Sequence, residues 1–395
     1  MQKKVSKRKP GPDLLKILAT IYVIIIHHKF FAGNPVFMSK FKLLSTITFV
    51  FTVVLGICLF FVAKKKGKSN FVCVMSFIVP LMCLASFAYL RRYAVAIFLL
   101  VTGYLLASSI KKLETPVKSW YTSSNIIPRI MRFYLPFIPV FIVGLVYKII
   151  VKDYSYTAME VIARFILGGF KPGSYYITIL AEVVLVFPII YILVRKLKSL
   201  GVLIAVLLTF AYDTACTYFG MNDIMYKFLV FRFTTHIALG VYASITDFKT
   251  DHLFNTVVFA VGMAYFIVCL TLRMYVPTIF FQWSEASFPV ALFMYVPVMW
   301  FIEATKGISY TDSKLSRFTM LFANATYHIF LIQLLYYTTF GFEFNEYVFN
   351  VALTMPLNIL ITVPLGIGYY MLLSPMEKRI TDSVTLKLQK NKKNQ

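Results

Sequence analysis

The chain has 395 residues, 59% of them hydrophobic and only 14% charged, with a formal net charge of +24. Soluble domains are about 45–50% apolar and about 25% charged, so a water-soluble globule is excluded. The positive charge would suit nucleic acid, but its distribution along the chain, set out below, makes no such partner necessary.

Uncharged runs long enough to cross a bilayer core of about 30 Å as helices recur along the whole length. In chain order they predict spans at 13–31, 43–63, 71–89, 92–110, 130–152, 174–194, 199–219, 227–245, 254–273, 284–302, 318–340 and 347–373. No stretch shows the alternation and turn spacing of a barrel, so the fold class is an all-α polytopic membrane protein, a bundle of about 12 transmembrane helices. Residues 1–12 form a basic tail, 13–373 the transmembrane domain, and 374–395 a second basic tail, polar and expected to be mobile. The first apolar run holds Lys16, His27 and His28 and lacks a small-residue cleavage site, so it reads as a retained helix.

With the N-terminus inside, the inner connections and both tails hold 27 of the 40 lysines and arginines, and the opposite connections hold 11. Excess Lys and Arg on one side is the positive-inside signature, so both termini are expected in the cytoplasm of a multi-pass cell-membrane protein, with anionic lipids as basic-face partners. Cys58, Cys73, Cys83, Cys216 and Cys269 lie in apolar spans without metal-ligand spacing and read as small buried hydrophobes. The outer segment 153–173 carries Tyr156, Met159, Val161, Ile162, Phe165 and Ile166, the pattern of an amphipathic helix in the interface that ends at Gly168 and Gly169.

Ionisable groups inside a membrane are costly and face a cavity or the bundle interior. In the first span Lys16 and His27 are eleven residues apart, close to three turns, so they share one face about 16 Å apart along the axis. Lys16 then sits near the cytoplasmic surface and His27 toward the outer leaflet, while His28 points about 100° away. Snorkelling would explain Lys16, and packing would explain His27. Glu182, Asp213, Arg232 and His236 fall in later spans, the first three in the same outer half as His27. They form either an inter-helix ion pair such as Glu182–Arg232 or, with His27, a polar pocket open to the outside. Arg232 and His236 are four apart and share a helix face. On the inner side Pro128 suits a first helical turn, placing Arg129 and Arg132 at a helix N-terminus. Free N–H groups and two guanidinium forks there make a phosphate site, or else ordinary inner anchors.

Lys16-x10-His27 resembles the Arg-x10-His pattern of the acyltransferase 3 family. The stretch from Arg92 to Thr102-Gly103-Tyr104-Leu105, the pair Arg129-Ile-Met-Arg132, SYYITILAEVVLVFPIIY at 174–191 and ANATYHIFLIQ at 323–333 are similar to further motifs of that family, in its order. Lysine stands for the usual arginine at position 16, threonine for serine at 102, and Gln333 for the usual late histidine. The family has a core of ten helices, so the hairpin 43–89 reads as an insertion.

The resemblance implies transfer of an acyl group, usually acetyl, from cytoplasmic acyl-CoA to a hydroxyl of a cell-envelope glycan or glycolipid. Acetyl-CoA would be the donor, its phosphates held by Lys16, Arg129 and Arg132, with the pantetheine arm threading the bundle. His27 would act as general base or carry the acyl group, and Glu182 and Arg232 would complete the outer site. The same residues also fit an exporter of a glycan or small molecule that does no acyl chemistry, or a non-catalytic partner in a biosynthetic complex.

Overall fold

The computed structural model describes residues 8–27, 54, 56–67, 93–113, 117–170, 173–221, 226–271, 288–339 and 351–393. Among these there is no strand. The helices are α1 (Pro10–His27), α2 (Ala94–Leu113), α3 (Val117–Trp120), α4 (Ser123–Ile150), α5 (Ala158–Ile166), α6 (Tyr176–Leu197) and α7 (Ser199–Tyr218). A 3-10 turn (Val230–Phe233) then leads into α8 (Thr234–Ile245), followed by α9 (His252–Thr271), α10 (Phe288–Ala304), α11 (Lys314–Thr338) and α12 (Val351–Lys393). Five of the described helices are long and apolar enough to cross a membrane, and three shorter apolar ones accompany them. The fold is an all-α membrane bundle, as the apolar runs predict. The expected second and third spans lie largely outside the described residues; within them, residues 56–65 are helical.

The centre of the bundle is α8, which packs on α2, α6, α7 and α10. Every residue from Thr234 to Ala243 is buried. Its 12 residues make a rod of about 18 Å, too short for a bilayer core. The expected full span at 227–245 is therefore corrected: the first part of that run is a short helical turn and a 3-10 segment, and only the rest is α-helix. The hydroxyls of Thr234 and Thr235 meet Thr209 of α7 at 2.8 and 2.9 Å, so the helix start is held by side chains where water is absent.

Close approach of α2 and α8 rests on two glycines. A Cβ on Gly103 would stand 2.5 Å from the Ile237 carbonyl oxygen, and one on Gly240 would stand 2.8 Å from the Tyr104 nitrogen. Without a hydrophobic force between helices in lipid, such small-residue contacts bring backbones into van der Waals range.

Around this centre, α1 packs on α2 and α11, α11 on α12, and α4 on α6, α11 and α12. The segment after residue 373, expected to be a mobile tail, instead continues α12 to Lys393. His328 of α11 meets Glu377 of that extension at 2.9 Å, which ties it to the bundle. Helix α5 matches the expected amphipathic segment. Thr157 and Glu160 cap it reciprocally, and the Thr157 N–H and hydroxyl hold the Glu160 carboxylate below its ordinary range. Phe165 packs on Phe137 and Phe141, while Met159, Ile162 and Ile166 face outward.

Replacing Gly240 by leucine drives a side chain into the α2 backbone, and overpacking of this kind costs about 1–3 kcal/mol. The variant is expected to show a lower thermal-aggregation temperature in detergent and a smaller folded fraction by size exclusion than a Gly368→Leu control, whose Cβ would meet nothing within 4 Å.

Candidate active site

The two ends of α1 carry the two halves of the site. At its C-terminal end Gln333 of α11, fully buried, donates from Nε2 to the Val23 carbonyl at 3.1 Å and to His27 Nδ1 at 2.6 Å. The Tyr337 ring meets the imidazole edge-on at 6.4 Å. On the other side lies the turn between α5 and α6. Gly173 there has φ +98°, and a Cβ on it would stand 2.8 Å from His27 Nε2, so both the conformation and the space call for glycine. Next to it Ser174 lines a cavity of about 20 Å³ together with Phe137, Phe141, Gly144, Phe170 and Leu334. That is room for one small group. The His27 ring, part-buried, thus lies between Gln333 of α11 and the α5–α6 turn.

At the opposite end Asp13, 3% exposed, gathers three donors. Arg8 approaches it at 2.5 and 2.7 Å, Lys16 at 3.0 Å and the Tyr310 hydroxyl at 3.0 Å. Lys16 therefore has a carboxylate partner, and the Arg8–Asp13–Lys16 group keeps one net positive charge. Arg129 lies 3.7 Å over the Trp120 ring, and Trp120 Nε1 donates to the Val184 carbonyl of α6. Arg132 is exposed one turn further on. Among the described residues neither arginine pairs with a carboxylate.

The two basic groups flank α11 at one level. Arg8 Nη1 donates to Asn324 Oδ1 at 2.7 Å, and one turn later the Tyr327 hydroxyl donates to the Phe133 carbonyl, beside Arg132, at 2.8 Å. One feature of the expected phosphate site is corrected. Helix α4 begins at Ser123, because the polar run after Trp120 supplies its start: the Asn125 and Ile126 N–H groups already bond the Thr122 carbonyl. Pro128 is thus inside the helix, and Arg129 and Arg132 are not at its first turn. Their guanidinium groups remain, without free N–H groups beside them.

Glu182 and Arg232 form no ion pair. Glu182 Oε2 accepts the Val230 N–H at 2.6 Å, which fixes the start of the 3-10 turn. Arg232 is fully buried, its guanidinium nitrogens have no hydrogen-bond partner among the described residues, and it lies 4.5 Å over the Tyr226 ring. The Tyr226 hydroxyl in turn donates to the buried Asp213 at 2.9 Å. His236 is fully buried as well; Arg232 belongs to the 3-10 turn and His236 to α8, which follows it directly. His28 lies outside the described residues. Sequence reasoning marked Gln333 as a substitution without seeing it as the partner of His27, and passed over Asp13, whose i,i+3 spacing to Lys16 was a usable signal.

A family model described as an acyltransferase domain matches residues 9–373, nearly the whole chain. No curated protein and no solved structure matches.

Changing Asp13 to asparagine leaves Arg8 and Lys16 facing each other in a half-buried site. Breaking a buried pair costs about 3–5 kcal/mol, and the partial exposure of Arg8 reduces this to roughly 2–3 kcal/mol. A lower unfolding midpoint in detergent is expected, with most of the loss restored by the double change Asp13→Asn, Lys16→Met.

Proposed function

The chain belongs to the acyltransferase domain family, and from that premise we propose that this membrane acyltransferase moves acetyl from cytoplasmic acetyl-CoA to a hydroxyl of a cell-envelope glycan or glycolipid. The observation that carries this reading is the placement of His27. It is held by Gln333 within the bundle, at the far end of α1 from the basic groups around Lys16. The separation of about 16 Å suits the extended pantetheine arm of coenzyme A.

The roles follow from the charges. Arg129 and Arg132, without carboxylate partners among the described residues, grip the donor's phosphates; Lys16, already bonded to Asp13, adds positive potential more than direct contact. The excess of inner lysines and arginines supports the cytoplasmic location of this end. The thioester reaches the His27 end, where the cavity of about 20 Å³ accommodates a methyl group and supports acetyl over longer chains. The acceptor hydroxyl oxygen bonds to the thioester carbonyl carbon and the C–S bond breaks. The hydroxyl proton passes to His27 and from it to the departing thiolate, giving free coenzyme A and the ester. Glu182 and Arg232 stand outside this proton path: Glu182 fixes the backbone at Val230, and Arg232 is buried over the Tyr226 ring.

Release of the coenzyme A thiol by purified protein, given acetyl-CoA and envelope glycan fractions, tests the reading. His27→Ala is expected to reduce release by about 10²-fold or more while the protein stays folded, the usual scale for a lost general base. Full activity in that variant would remove His27 from the reaction. Arg129→Ala and Arg132→Ala are expected to raise KM for acetyl-CoA about tenfold or more with little change in kcat, as loss of a charge-assisted bond to phosphate implies.

A further inference from the structure

The contact at the His27 end fixes more than the position of the ring. Gln333 Nε2 lies 3.1 Å from the Val23 carbonyl oxygen and 2.6 Å from His27 Nδ1. A main-chain carbonyl can only accept, so the NH2 edge of the carboxamide must face it. The second amide hydrogen then points at Nδ1, which receives it with its lone pair. The reverse orientation would set Gln333 Oε1 against the Val23 oxygen, acceptor to acceptor. It would also move the NH2 group into the buried place where Oε1 has no partner among the described residues. A neutral imidazole that accepts at Nδ1 carries its proton on Nε2. Nε2 is also the nitrogen nearest Gly173, the residue before Ser174 at the small cavity.

We propose that Gln333 is a positioning residue for His27: it holds the ring in the Nε2–H tautomer, and Nε2 becomes a base only when the carboxamide turns over. This rests on His27 being the base of the proposed reaction. In the resting protein His27 presents a donor at Nε2. When the amide turns, the Nε2 proton leaves to solvent and one is taken up from solvent at Nδ1 of the part-buried ring, where Oε1 accepts it; the ring stays neutral and the Nε2 lone pair is free for the hydroxyl. The Val23 contact, lost in that turn, is what keeps the resting form in place.

The test uses full-length protein in detergent, labelled with 15N-histidine, with the His27 signals assigned by their absence in His27→Gln. At a pH where the ring is neutral, Nδ1 is expected to resonate as an unprotonated, pyridine-type nitrogen and Nε2 as a protonated, pyrrole-type one. Gln333→Glu offers Nδ1 only an acceptor, so the pattern is expected to invert and coenzyme A release to equal or exceed that of the wild type. Gln333→Leu removes both the constraint and any acceptor for a proton on Nδ1; its spectrum is expected to show both tautomers and its turnover to fall below that of Gln333→Glu. A pyridine-type Nε2 in the wild type would overturn the proposal. So would an unchanged pattern in Gln333→Glu, or an inverted pattern with release no faster than in Gln333→Leu. If Gln333→Glu does not fold, the wild-type and Gln333→Leu spectra decide between these outcomes. The spectra are read without turnover, so an active His27→Ala variant would sink the base reading and leave the tautomer assignment standing.

Discussion

Helix α1 is fastened to α11 by polar contacts at both ends and by apolar packing between them, and the rest of the site depends on that arrangement. At one end Arg8 bonds Asn324, while Asp13 takes the hydroxyl of Tyr310 from the loop before α11. At the other end Gln333 bonds the Val23 carbonyl and the His27 ring. Between them Ile24, Ala325 and Ile329 share a buried cluster. Polar contacts in lipid gain modestly over apolar ones, so their larger effect is on register: sliding α1 by one turn along α11 would orphan groups at both ends at once. The distance between the basic end and the imidazole is therefore a property of one helix held at two points. A segment fastened at one end only would leave that distance open to fraying.

Most helices were legible in the sequence because the membrane imposes a simple rule: an apolar run of sufficient length has no other stable conformation in lipid. The rule fails where a run is buried in protein instead of lipid. Residues 227–245 are apolar enough to read as one span, yet the first part of that run is not continuous helix. Neighbouring groups satisfy its backbone there, as Glu182 does for the Val230 N–H. Hydropathy reports what a segment avoids, and protein and lipid look alike to it. The extension of α12 escaped for the opposite reason. Beyond residue 373 the chain is polar, so the apolar signal ends while the helix does not, held by the pairing of Glu377 with His328.

The site divides in the same way. Spacing within one helix was readable: Lys16 and His27 share α1, and Arg129 and Arg132 stand one turn apart. Pairings between helices were not. Gln333 is 306 positions from His27, and no periodicity within either helix brings them together. The amphipathic character of α5 was visible from Phe165 and its neighbours, but that the turn after it lies over the imidazole was not, because Gly173 contributes by having no side chain. Buried Arg232 shows a related limit. Its depth suggested Glu182 as a partner, but that acid bonds the Val230 N–H and the guanidinium lies over Tyr226, whose hydroxyl serves Asp213. A ring face in a dry environment can take part of the load that spacing arguments assign to a carboxylate.

The choice of a carboxamide beside His27 has a consequence for the proposed chemistry. A carboxylate in that place would orient the ring and stabilise the imidazolium, but it would put a second ionisable group into the low-dielectric interior, where an unpaired charge costs several kcal/mol. Gln333 orients without charge. It therefore cannot hold a protonated ring in place as an ion pair would: as found its NH2 edge opposes a proton on Nδ1, and once turned its oxygen gives that proton only a neutral hydrogen bond. A ring so flanked is suited to carrying a proton briefly. In the proposed transfer the thiolate that leaves the acyl carbon is generated in the same step and close by, and it is a ready acceptor. Proton pick-up and delivery then belong to one passage through the transition state, and no long-lived imidazolium has to be accommodated in the membrane.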